Sequence, residues 1–105
     1  MSRSFGLSTA QQTEIQQILQ DKLKNYSPYS VWIFGSRARG DHKQYSDLDI
    51  WLETSCALSD AHLSELQEQF QDSDLPIKID IVTPDRVLAE YLPSIANDKR
   101  EWFNF

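Results

Sequence analysis

A chain of 105 residues with a formal net charge of −6 has room for one domain spanning residues 1–105 and one modest core, and its acidic balance repels an extended nucleic-acid backbone. It holds no run of about 18 apolar residues, which excludes a membrane-spanning helix, and its first residues lack the apolar stretch of a secretory signal. Cys56 is the only cysteine, so no internal disulfide can form, in keeping with a reducing cytoplasm.

Ser8 and Gln11 have the spacing of a capping box, and Ile15, Ile18, Leu19 and Leu23 recur at helical spacing, which predicts a helix over 9–24. Its other face is rich in glutamine and reads as solvated surface. Pro28 closes the segment, because the residue before a proline disfavours the helical region. Tyr29 to Phe34 reads as a strand, apolar on both faces and so expected to be covered on both sides. Gly35 permits a tight turn and a close backbone approach. Ser36 to Arg39 starts a short helix, whose first N–H groups would face an anion beside the turn. Arg37, Arg39 and Lys43 crowd into the same stretch. A basic cluster in an acidic chain either receives a small anion such as a triphosphate or is a solvated loop.

Asp47 to Glu53 reads as a second strand, with Leu48, Ile50 and Leu52 on one face and Asp47, Asp49, Trp51 and Glu53 on the other. Ser59 caps a helix over 60–71 with a core stripe of Leu63, Leu66 and Phe70. Ile77 to Val82 is a third strand, with Asp80 between Ile79 and Ile81. Thr83-Pro84 reads as the start of another helix, with Val87, Leu88 and Tyr91 as its apolar side and Pro93 as its break or kink. The tail is expected to hold a further helical turn or two before its apolar end, Trp102-Phe103-Asn104-Phe105. Helices and strands alternate, which predicts an α/β (α+β) fold with a small mixed sheet backed by helices.

The chemistry lies in three carboxylates and one turn. Asp47 and Asp49, two apart on a strand, point the same way about 7 Å apart at Cα. Two charges at about 4 Å repel by roughly 4 kcal/mol at an effective dielectric near 20. Such a pair is either solvated or relieved by a cation, and Mg²⁺ suits one or two carboxylates plus phosphate oxygens. Asp80 sits in an apolar strand, where a charge rarely goes without a partner, whether an ion or a cation such as Lys78 or Arg86. If the third strand lies beside the second, three converging carboxylates can clamp two metals for in-line displacement at phosphorus. Gly35, Ser36 and a cation from Arg37 or Arg39 would face the phosphates of a nucleoside triphosphate.

Gly35-Ser36, ten intervening residues, Asp47-x-Asp49 and a later Asp80 resemble the nucleotidyltransferase superfamily of the DNA polymerase β type. The compact Gly-Ser-Arg-Ala-Arg-Gly and Tyr-Ser-Asp-Leu-Asp-Ile stretches are similar to the minimal nucleotidyltransferase (MNT) family, over essentially the whole chain. The resemblance implies a three- or four-stranded mixed sheet, Asp47, Asp49 and Asp80 as metal ligands, and Gly35 and Ser36 as triphosphate contacts. It also implies a HEPN-domain partner, with AMP moved from ATP onto a tyrosine of a HEPN toxin by the MNT antitoxin. A second reading is a non-catalytic antitoxin that masks such a partner, and another acceptor is a small hydroxyl compound such as an antibiotic. Little chain remains after Asp80 to grip base and acceptor, so a partner or a second copy would supply that surface. Tyr91, Trp51 and the aromatic tail either make those contacts or fill the core.

Overall fold

The computed structural model describes residues 4–104. Residues 1–3 and Phe105, used above in reading the two ends, lie outside the described residues. The first helix, α1 (Thr9–Leu23), begins as its capping box dictates. The Ser8 hydroxyl accepts the Gln11 N–H at 3.1 Å, and the Gln11 side chain accepts the Ser8 N–H at 2.9 Å. Then follow β1 (Tyr29–Phe34), the single turn α2 (Ser36–Arg39), β2 (Leu48–Thr54), α3 (Asp60–Gln71) and β3 (Ile79–Val82). A 3₁₀ turn (Ala89–Tyr91), α4 (Leu92–Asp98) and β4 (Arg100–Asn104) complete the chain.

The strands form one mixed sheet in the order β3-β2-β1-β4. β1 runs antiparallel to β2 and β4, while β2 and β3, joined through α3, are parallel. Alternation decides the faces. Val31, Ile33, Leu48, Ile50, Leu52, Ile79 and Ile81 all turn to one side and meet Ile15, Leu19 and Leu23 of α1 and Leu66 and Phe70 of α3 in one core. Each such side chain contributes about 1.5–3 kcal/mol on burial. The opposite face carries Asp49 and Asp80, and there Trp32 and Phe34 of β1 are only half-buried. The first strand is therefore fully covered on one side and partly on the other.

Four expectations need correction. The second and third strands start one and two residues later than predicted, so Asp47, Ile77 and Lys78 lead into the sheet rather than lie in it. No helix starts at Thr83-Pro84. The segment makes one turn, with the Arg86 N–H on the Thr83 carbonyl at 3.1 Å. The Arg86 guanidinium then binds the Leu58 carbonyl at 2.6 Å and Asp60 at 2.8 Å, and these tertiary ties outweigh local propensity. Pro93 does not break a helix but begins one, in the first turn of α4, where its missing N–H costs nothing. The tail does hold the expected further helical turn, Ile95 to Asp98 at the end of α4, but its apolar end, read without any strand, is β4, an edge strand on β1 with a register shift between Val31 and Trp32. The half-buried Trp102 and Phe103 pack against the core, and the Trp102 ring meets Phe5 at 6.2 Å between centroids. The tail aromatics within the described residues thus serve the core.

Candidate active site

Register assembles the site. Phe34 stands opposite Asp49 across β1 and β2, and Asp49 stands opposite Asp80 across β2 and β3. Paired residues share a face, so the two carboxylates lie side by side on adjacent strands. Asp47 is exposed one residue before β2. Asp49 is half-buried, and its carboxyl is pushed up to about 6 from an ordinary 3.8. Burial is the main cause, followed by the negative charges of Asp80 and Asp47, against smaller opposing effects of Arg39 and Lys78. The electrostatics thus couple the three carboxylates that the sequence singled out.

Gly35 completes the geometry from the end of β1. Its φ of 76° and ψ of −154° form a conformation essentially reserved for glycine. A Cβ there would collide with the Asp49 carboxylate. The turn backbone therefore lies directly against the central acid, and Ser36 follows as the first residue of α2.

The donor chemistry fits a hard divalent cation: oxygens only, negative, and partly withdrawn from water. Asp80 also lies 3.5 Å from the exposed Lys78 ammonium. Among the described residues, no three acid, imidazole or thiol groups are drawn together tightly enough to enclose an ion by themselves.

The two arginines part company. Arg39 stays exposed at the site, joined to Asp41 at 3.1 Å and to Asp98 at 2.8 Å, and its proton is held more tightly through those hydrogen bonds. Arg37, expected on the phosphates, is instead only 3% exposed. Its guanidinium donates to the carbonyls of Phe5 at 2.9 Å, Ser46 at 3.0 Å and Gln44 at 3.1 Å. Arg37 therefore ties the N-terminal segment to the loop that delivers Asp47, with each of its three nitrogens bonded to a backbone carbonyl. Arg37→Lys tests this directly. Lysine keeps the charge a phosphate needs but cannot form the planar fork that satisfies three carbonyls. The substitution is expected to cost about 2 kcal/mol and lower the Tm by about 10 °C in a thermal melt.

Sequence reasoning missed two supports. The Gln67 side chain donates to the Ile79 carbonyl at 2.9 Å and accepts the Ile81 N–H at 3.1 Å, so one amide closes the outer edge of β3 on both sides of Asp80. Nothing marked Gln67 out among the many glutamines. Lys99 spans the rings of Trp32 and Trp51 at 4.7 and 5.5 Å and reaches Glu53 at 3.7 Å. It joins the end of α4 to the carboxylate face. Trp51, read from the sequence as either a partner contact or a buried filler, is 5% exposed beneath this lysine and so is the latter. Tyr91 is exposed.

The chain matches the profile of the nucleotidyltransferase domain over residues 13–103. A probable protein adenylyltransferase of Haemophilus influenzae, MntA, is 39% identical over 70 residues, covering 67% of this chain and 55% of the relative. The match thus spans little more than half of that protein. Among solved structures, a toxin–antitoxin complex with AMP-PNP superposes with a TM-score of 0.70 at 19% identity, over 89% of this chain and 73% of the other. A complex of tri-AMPylated Shewanella oneidensis HEPN toxin with an MNT antitoxin gives 0.64 at 17% identity, over 89% and 69%. At such identities the likeness shows the nucleotidyltransferase fold.

Proposed function

The chain belongs to the nucleotidyltransferase domain family, and from that premise we propose that it moves AMP from ATP to a tyrosine hydroxyl of a HEPN-domain toxin and so acts as the antitoxin. One observation carries the reading: Asp49 and Asp80 stand in register, coupled to Asp47, with the Gly35 backbone against Asp49. In this reading Gly35 and Ser36 hold the triphosphate, and Arg39 adds a charge by exchanging one carboxylate partner for a phosphate oxygen. Asp47, Asp49 and Asp80 would hold one or two Mg²⁺ ions, which supply charge neutralisation at phosphorus, with substrate oxygens completing the coordination.

The acceptor oxygen bonds to the α-phosphorus, the bond to the bridging oxygen breaks, and pyrophosphate leaves. Asp80 receives the acceptor proton. The chain contributes position and fixed charge rather than a covalent intermediate. Leu88 and Leu92 are exposed apolar side chains on the segment beside the site, and a partner would cover them. The name of the Haemophilus influenzae relative supports adenylyl transfer, and the HEPN toxin complex among the structural neighbours supports a HEPN partner in a hetero-oligomer. The site of action in this reading is the cytoplasm, where ATP and a reduced Cys56 coexist.

The test is incubation of the chain with labelled ATP, Mg²⁺ and a HEPN-domain protein from the same organism. Label is expected on the partner, and Asp47→Ala is expected to abolish it. Neutralisation of the toxin that survives Asp47→Ala, with no label transferred by either protein, would replace transfer by masking.

A further inference from the structure

β3 lies at the edge of the sheet and is only four residues long, yet it carries Asp80. Along a strand the backbone polar groups point alternately to one side and the other. The Lys78 carbonyl accepts the Leu48 N–H at 2.9 Å, so Asp80 also turns its backbone toward β2, while Ile79 and Ile81 turn theirs outward. Outside that edge lies a groove of about 480 Å³, bordered by Gln67, Lys78 and Asp80. One side chain answers the two outward groups that flank Asp80. The Gln67 amide donates to the Ile79 carbonyl at 2.9 Å and accepts the Ile81 N–H at 3.1 Å. Its neighbour on α3, Leu66, is fully buried and anchors that helix in the core. Asp80 is thus held by β2 on one side and by a single amide on the other.

We infer that Gln67 is a positioning residue, whose amide holds Asp80 beside Asp49 so that the two carboxylates can share a divalent cation. The inference rests on the reading of Asp80 as a cation ligand. Three features carry it. Asp49 and Asp80 stand in register on adjacent strands and repel each other, and the negative charge of Asp80 is one of the causes that raise the Asp49 carboxyl. That repulsion acts on a strand with a strand neighbour on one side only, so it pushes Asp80 outward unless the outer edge is tied. The other partner of Asp80 is the exposed Lys78 ammonium at 3.5 Å, and an exposed ion pair on a flexible stem does little to fix a position. Two hydrogen bonds from one planar amide, by contrast, fix direction as well as distance.

An amide laid across an edge strand also shields it from pairing with another chain. Shielding alone asks little of placement, since a charged side chain along the edge serves it, and Lys78 already stands exposed there. The Gln67 amide instead spans the single residue whose carboxylate faces Asp49.

Calorimetric titration of the full chain with Mg²⁺ alone at pH 8 tests this, beside thermal melts of the same proteins. Gln67→Met keeps the length of the side chain and loses both hydrogen bonds, at a half-buried position beside the groove that does not threaten the fold. It is expected to weaken Mg²⁺ binding about tenfold and to speed hydrogen exchange at the Ile81 N–H. Leu66→Val, one residue away, lowers the Tm through the core and is expected to leave Mg²⁺ binding within about twofold. Asp80→Asn is expected to weaken binding by itself, and Gln67→Met added to it should change binding by less than about twofold, because the amide acts through Asp80. Unchanged Mg²⁺ binding in Gln67→Met would overturn the inference, and dimer formation by that variant would then give the amide to edge shielding. Equal weakening by Leu66→Val would also overturn it, because any loss of stability would suffice. Full additivity in the double variant would place the effect of Gln67 elsewhere than at Asp80. Wild type that binds no Mg²⁺, or binding that Asp80→Asn leaves intact, would remove Asp80 as a ligand and this inference with it. The expected pattern of binding in a chain that transfers no label would uphold the role of Gln67 and overturn only the transfer reading.

Discussion

Asp49→Asn is expected to lower nucleotidyl transfer about a thousandfold or more while making the metal-free protein more stable. The two effects share one cause. Asp49 is the middle of the three acids, half-buried and beside the turn, so its charge is the one most needed by a cation and least welcome without one. Charge neutralisation at phosphorus is worth several kcal/mol, and each 1.4 kcal/mol is tenfold in rate. The stability arm follows from the raised carboxyl, about 6 in the fold against an ordinary 3.8. A raised folded-state value favours the protonated acid. Its stabilising effect is complete below about pH 3.8, fades as pH rises, and is lost above about pH 6. Full conversion of that gap gives about 3 kcal/mol, and solvent around a half-buried group reduces it to about 1 kcal/mol. In chelator at pH 8 the asparagine variant should therefore melt about 5 °C above wild type, and at pH 4 the two should nearly coincide. Added Mg²⁺ should raise the wild-type Tm at pH 8 and leave that of the variant almost unmoved. A variant that is no more stable than wild type in chelator at pH 8 would mean that the three acids do not strain the fold.

The acids were legible in the sequence because a strand alternates with period two. Once Leu48, Ile50 and Leu52 are committed to the core, Asp49 must face the other way, and the same holds for Asp80 between Ile79 and Ile81. What alternation could not give was direction for residues outside strands. Arg37 and Arg39 differ by two positions on one helical turn, and only the fold reveals that the first points inward, to a carbonyl 32 residues earlier in the chain. Pro93 was ambiguous for a similar reason. Proline ends a helix from within and opens one from its first turn, and the choice depended on whether Thr83 to Val87 was already helical. It was not, because Arg86 is held by Leu58 and Asp60. The last strand hid behind the register shift beside Val31, which lets Trp102 and Phe103 both pack against the core and so erases the alternation that would have announced it. The carboxylates were therefore set by local pattern, and their supports by contacts distant in sequence.

Gly35→Ala is expected to cost about 3 kcal/mol, lower the Tm by about 15 °C, and abolish transfer even at temperatures where the variant is folded. Two terms combine. The backbone at Gly35, with φ 76° and ψ −154°, lies where a side chain is strained by about 1–3 kcal/mol. The new methyl would also displace the Asp49 carboxylate, which packs against the glycine. Gly40→Ala separates them, since Gly40 has a φ of 88° but nothing within 4 Å of where its Cβ would stand. That variant carries left-handed strain alone, about 1 kcal/mol or about 5 °C, and should keep its activity. Thermal melts and labelled-ATP transfer on both proteins provide the comparison. If both alanines lose stability equally and both keep activity, contact between the turn and the central acid is not what the site depends on. If Gly35→Ala alone loses transfer, one missing methyl group explains why this turn must be glycine: it leaves room for a charge.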